Sequence, residues 1–153
     1  MLAALVLVPS TIPDQQAPVS KYRTDPRRTL IENFFRERGC PASEWAEDFL
    51  VAADLNGLDW RLLPGIAFTE STGGKAYYNN NILGWNSARS RFPSVRTGIY
   101  FVAGQLANAR GYRNKDLEKV LQTYNPSPGY TTYVKRVMAQ LDQQSSSETA
   151  YSD

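Results

Sequence analysis

Glu70 is the last carboxylate before a long acid-free stretch, and the next acid is Asp116. Between them stand Lys75, Arg89, Arg91, Arg96, Arg110, Arg113 and Lys115, among many Tyr, Asn and Ser residues. An isolated carboxyl can act first as a general acid and then as a base, provided its pKa lies near the working pH. Two features favour this for Glu70. It falls at the C-terminal end of a predicted helix, where the negative pole of the helix dipole opposes ionisation. Phe68 and the aromatic loop that follows offer an apolar setting, which opposes ionisation too. The cations act in the opposite sense if they lie close. A solvated glutamate at a helix end is the plain alternative for this residue type.

Other chemistries are narrowed by what the chain lacks. With no His, Ser-His-Asp and Cys-His catalysis and the commonest metal ligand are removed. Cys40 is the only Cys, so no internal disulfide forms, and it reads as a buried or semi-buried thiol without chemistry. No metal cluster, phosphate-binding Gly loop or dinucleotide fingerprint is present, so no cofactor or metal is expected. A net charge of +2 is too small to argue for nucleic acid, and none is expected as a partner. The basic segment 71–115 suits an acidic polymer. It equally suits a solvated face whose partner acids come from residues 25–59.

The 153 residues are enough for one domain with a real core. Leu2 to Val8 is an apolar run too short to span a bilayer. It has the length of a signal-peptide core but no basic residues before it, and it reads as a clipped leader, with export expected. Residues 1–23 thus form a leader and polar linker, 24–143 the domain, and 144–153 a disordered tail. No stable membrane insertion is expected, and the chain reads as a monomer.

Six helices are predicted. "TDPRRTLIENFFRERG" starts at Thr24 or Asp25, places Pro26 in the first turn and stops at Gly39. "SEWAEDFLVAADLNG" is capped by Ser43, with Trp45, Phe49, Ala52, Ala53 and Leu55 facing in. "LDWRLLPGIAFTES" is capped by Asp59 and ends at Gly73-Gly74. Residues 72–93 have no sustained period and read as a long irregular loop or small β region, a kind of segment that tends to be functional. "SVRTGIYFVAGQLANARG" is capped by Ser94, and "NKDLEKVLQTYN" by Asn114. "GYTTYVKRVMAQLDQQ" turns Tyr133, Val134, Val137, Met138 and Leu141 to one side. The sum is a mainly α domain.

"GLDWRLLPGIAFTES" resembles the catalytic-helix signature of the lysozyme-like superfamily, in lytic transglycosylases of the soluble and goose-lysozyme type. "GIYFVAGQLANARGY" and "LEKVLQTYNPSPGYTTYV" resemble later helices of that family, including its Tyr-Asn motif and Tyr-x-x-x-Val helix. The three pieces, in order, span residues 56–138. "NNNILGW" departs from the usual Gly-Leu-Met-Gln loop toward the Asn-Asn-x-x-Gly loop of glucosaminidase-type enzymes, and "YNPSP" replaces Tyr-Asn-Ala-Gly.

The resemblance implies a lysozyme-like domain that cleaves peptidoglycan glycan strands, with Glu70 as catalytic acid. Ser71 would orient it, the Tyr124 hydroxyl would point toward acid and sugar, and Asn125 would hold the turn or a sugar group. Asn80 and Asn81 suit acetamido groups or turns. Tyr77 or Tyr78 and Trp85 suit stacking on sugar rings or plain packing.

Ordinary glycosidases use two carboxylates, about 5–9.5 Å apart. The loop after Glu70 offers none, and a second acid must come from Asp48, Asp54, Asp59, Asp116 or Glu118. A single-acid mechanism fits better, in which the substrate's own acetamido or hydroxyl group attacks. A hydrolytic muramidase or endo-β-N-acetylglucosaminidase on the same scaffold stays open, as does a glycan-binding module without turnover.

Overall fold

The computed structural model describes residues 21–148, with side chains to 143. The apolar run Leu2–Val8 lies outside the described residues. From Pro26 onward these residues form α1 (Pro26–Glu37), a short 3-10 helix (Pro41–Trp45), α2 (Ala46–Leu55), α3 (Leu62–Ser71), α4 (Val95–Asn108), α5 (Leu117–Tyr124) and α6 (Tyr130–Glu148). The chain is mainly α. No strand occurs among the described residues, so the loop between α3 and α4 is built from turns rather than a small β region.

The sequence of α3 explains its place. Leu62 to Ala67 are all buried, and a helix apolar all round belongs inside a core. Gly65 lets α6 approach closely: a Cβ there would lie 3.0 Å from Met138 Cγ and 3.3 Å from Val134 Cγ1. On the α1 side the Phe34 and Phe68 rings meet edge to face at 5.3 Å. Pro64 sits in the first turn, where its missing N–H removes no helical bond. α3 is therefore a rod clamped on several sides, and Glu70 lies in its last turn.

Several helix starts differ from expectation for local reasons. α3 begins at Leu62 rather than beside Asp59, because Asp59 Oδ1 takes the N–H and the Nε of Arg61, both at 2.9 Å, and closes a turn ahead of the helix. α5 is capped by Asp116, whose Oδ1 accepts from Lys119 N at 2.9 Å, while Asn114 takes a left-handed conformation (φ 63°). Ser43 lies inside the 3-10 helix and caps nothing. Asp25 and Ser94 cap α1 and α4 as read from the sequence. Leu55 and Tyr133 point outward, 69% and 43% exposed, although both share an apolar helical stripe. α6 continues past residue 143 to Glu148, so the ordered part extends further than expected.

α3 ends by turning back on itself. Thr72 is left-handed (φ 52°), and Gly73 follows at φ 63° with its N–H on the Ala67 carbonyl at 3.2 Å. The Gly73 backbone packs directly on Cys40. A Cβ there would stand 2.7 Å from Cys40 Cβ and 3.0 Å from Phe35 Cδ1. Cys40 is buried and free, consistent with a packing thiol. Gly73→Ala meets both an unfavourable φ and overpacking, and should lower stability by about 1–3 kcal/mol in urea unfolding. A change of less than about 0.5 kcal/mol would contradict this packing.

Candidate active site

Glu70 opens into a cleft of about 570 Å³ lined by two stretches of chain. Gly84, Trp85, Asn86 and Ser87 come from the long loop, and Thr123 to Ser127 from the end of α5 and the turn after it. Tyr112 completes the lining. Glu70 is the only carboxylate among the lining residues, and no Lys or Arg is among them.

The loop is held by its own asparagines. The buried Asn81 donates Nδ2 to the carbonyls of Trp85 (2.9 Å) and Ser90 (3.1 Å), and its Oδ1 accepts from Trp85 N (2.8 Å). Asn80 donates to the Phe92 carbonyl at 2.9 Å. Both fulfil the turn-holding alternative, with their amide groups committed to backbone. Ile82 and Leu83 anchor the loop in the core.

This knot brings Gly84 against the acid. A Cβ at Gly84 would stand 2.6 Å from Glu70 Oε2 and 3.1 Å from Glu70 Cβ, and φ is 66°. Only glycine fits such an approach. Asn86, Ser87 and Ala88 follow in left-handed conformation (φ 57°, 53° and 61°), a run that costs about 1–2 kcal/mol per non-Gly residue. Strain of this kind at a cleft lip is common in functional loops.

Aromatic rings pack beside the acid. Trp85 lies 5.7 Å from both Tyr112 and Tyr124, and Tyr124 stacks on Tyr130 at 6.3 Å and 9°. The Tyr124 hydroxyl donates to the Leu83 carbonyl. It therefore ties α5 to the loop, and its proton is not directed at the acid as the resemblance implied. Its ring still lines the cleft, and the Glu70 charge adds to burial in raising its pKa. The buried Tyr130 hydroxyl has no partner at hydrogen-bond geometry. It is nonetheless near enough to ease the Glu70 charge, while burial and that same charge push the phenol far up.

Burial raises the Glu70 pKa, and Tyr130 offsets only part of the rise. No cation enters the balance, so the question left open by the basic segment is answered in favour of burial.

The other expected site residues divide. Trp85, Tyr124 and Asn125 line the cleft with Glu70. Asn125 closes a turn, accepting from Ser127 N at 3.0 Å. The Ser71 hydroxyl donates to the Ala67 carbonyl (2.9 Å) and accepts from Gly74 N (3.0 Å), so it shapes the helix end rather than bonding Glu70. Tyr77 packs against the core and is not part of the lining. Tyr78 is 81% exposed.

The alternative acids are all engaged elsewhere. Asp48 pairs with Arg96 at 2.8 Å, Asp54 with Arg27 at 2.8 Å, Asp59 with Arg61, and Glu118 with Lys135 at 3.1 Å. Asp116 caps α5. Gly84, Tyr112 and Tyr130 were missed in the sequence. Tyr130 opens the Tyr-x-x-x-Val helix, Gly84 closes the Asn-Asn-x-x-Gly loop, and Tyr112 ends the "GIYFVAGQLANARGY" stretch, so all three had a signal.

Comparison with protein-family models, with curated proteins and with solved structures finds no match.

A carboxyl whose pKa is raised on folding costs stability once it ionises. The cost is absent below the unfolded pKa, grows as pH rises, and is complete above the folded pKa. Glu70→Gln should therefore be at least as stable as the wild type at pH 7 in denaturant unfolding. The advantage should vanish below the ordinary glutamate pKa. A variant clearly less stable at pH 7 would mean that the carboxylate is favourably solvated.

Proposed function

We propose that this chain is a lysozyme-like glycosidase that cleaves the β-1,4 linkage of peptidoglycan glycan strands, as a lytic transglycosylase with Glu70 as sole general acid and base. The observation that carries this reading is the solitary, partly buried carboxyl in a cleft that holds no second acid among its lining residues. The cleft lies at the end of α3, buried from Leu62 to Ala67, whose sequence resembles the family's catalytic helix. Asp48 also has its pKa raised by burial and lines a smaller cavity, but Arg96 bridges it, whereas no Lys or Arg is among the residues lining the Glu70 cleft.

In this reading the protonated Glu70 donates to the glycosidic oxygen as the bond to the anomeric carbon lengthens. With no protein carboxylate opposite, the positive charge on the sugar is met by the substrate's own acetamido oxygen. Glu70, now ionised, takes the proton from the sugar's 6-hydroxyl as that oxygen closes on the anomeric carbon. The product is a 1,6-anhydro end, and no water is consumed. Trp85, Tyr112 and Tyr124 pack side by side in the cleft lining, a surface suited to sugar rings. Their burial keeps the acid protonated to higher pH. Export to the cell envelope, periplasm or medium belongs to the same proposal.

A hydrolase on the same scaffold differs only in letting water replace the 6-hydroxyl. Mass spectrometry of fragments released from purified sacculi separates the two, because an anhydro end is lighter by one water. The expected product is the anhydro form. Glu70→Gln should release no fragments while retaining the helical circular-dichroism spectrum and unfolding cooperatively. Cleavage by that variant at the wild-type rate would overturn the assignment. Because the acid must be protonated, wild-type turnover should fall on the alkaline side as pH passes the raised Glu70 pKa.

A further inference from the structure

The cleft interior is without cations, yet its surroundings are rich in them. Of the basic side chains in 71–115, only Arg96 makes an ion pair among the described residues, with Asp48. Lys75, Arg89, Arg91, Arg110, Arg113 and Lys115 are all exposed. The solvated-face reading, in which acids of 25–59 neutralise this segment, therefore accounts for one cation only.

Two of the unpaired cations are attached to the two stretches that line the cleft. Arg89 Nε donates to the carbonyl of Asn86, at 3.3 Å, and Asn86 is a lining residue of the loop. Lys115 Nζ donates to Thr123 Oγ1, at 2.7 Å, and Thr123 is a lining residue of α5. Each bond is to a neutral oxygen, so each cation keeps its charge available. The arrangement places positive charge at both lips and none beside the acid, where it would favour the ionised form.

Sugar rings are neutral, and a strand without peptides offers such lips only the lactyl carboxylate that each muramic acid carries close to its ring. A glycan that carries acidic peptides is different. Its substituents leave the strand beside the ring and put carboxylates outside the cleft, where the exposed cations stand. We propose, resting on the glycosidase reading above, that Arg89 and Lys115 form a cationic rim that selects peptide-bearing glycan over denuded glycan. Recognition is by the carboxylates of the peptides, while the sugar itself is held by the aromatic interior. Exposed charges act weakly and are screened by salt, so the rim sets preference and encounter rate more than total affinity.

The test uses Glu70→Gln protein, so that strands are not consumed. Binding is measured to solubilised peptide-bearing strands, to the same strands stripped of peptide by an amidase, and to duplex DNA of similar length. The expected result is a preference of about fivefold for the peptide-bearing strands at low salt, lost at about 0.5 M salt. Adding Arg89→Gln and Lys115→Gln should bring the affinity for peptide-bearing strands down to that for stripped ones, and Arg89→Lys with Lys115→Arg should restore it. Equal binding of both strands, absence of binding to either, persistence of the preference in the double Gln variant, or DNA binding as tight as glycan binding would each overturn the rim. Failure of the glycosidase reading shows separately: wild-type protein would then hold peptide-bearing strands preferentially without cutting them.

Discussion

Glu70 is enclosed by groups that cannot stabilise its charge well, and much of the fold serves that enclosure. Gly84 presses its backbone to within a side chain's reach of the carboxyl, and no larger residue fits. Gly84 stays there because Asn81 ties the loop on both sides with three bonds, and because Tyr124 grips the Leu83 carbonyl beside it. Glu70 is held by α3, which is buried from Leu62 to Ala67 and pinned to α6 through Gly65. Two independent clamps thus fix the acid and its cover. Neither contributes a positive charge.

This arrangement divides the electrostatics of the molecule into an inside and an outside. Inside, burial in the cleft raises the carboxyl's pKa, with one phenol moderating the effect. Outside, exposed cations stand without acid partners at the cleft lips. Every other acid weighed as a second catalytic group is in an ion pair or a helix cap. Asp48 shows the contrast well. Its pKa too is raised by burial, but Arg96 bridges it at 2.8 Å, so it reads as a structural group. Asp48 borders open space as well, so what sets Glu70 apart is the absence of a cation beside it.

Much of the helical frame was legible in the sequence, because amphipathic stripes and the Asp25 and Ser94 caps are local signals. The misplaced starts have local causes as well. Asp116 takes the capping role expected of Asn114, and Asp59 closes a turn before α3, and only the backbone path decides either outcome. Leu55 and Tyr133 carry an apolar side chain on a helical stripe, but periodicity alone does not tell whether a neighbour covers the end of that stripe. In the site, Glu70, Trp85, Tyr124 and Asn125 were found from residue type and order. Ser71, Asn80 and Asn81 proved to be backbone fasteners, because Ser and Asn side chains at helix ends and turns compete for main-chain groups first. Tyr112 lines the cleft and packs on Trp85, a contact that the sequence stretch ending on it does not specify.

The central claim is that a single half-buried acid, its pKa raised by its surroundings, does the proton transfer. The most direct measurement is an NMR titration of the Glu70 side-chain carboxyl, set beside the alkaline limb of glycan cleavage on the same preparation. The account predicts a Glu70 pKa above the ordinary glutamate value, higher still in Tyr130→Phe, and an alkaline limb that falls at the pKa the titration gives. A Glu70 that titrates at or below the ordinary value, or a limb that ignores it, would contradict the account.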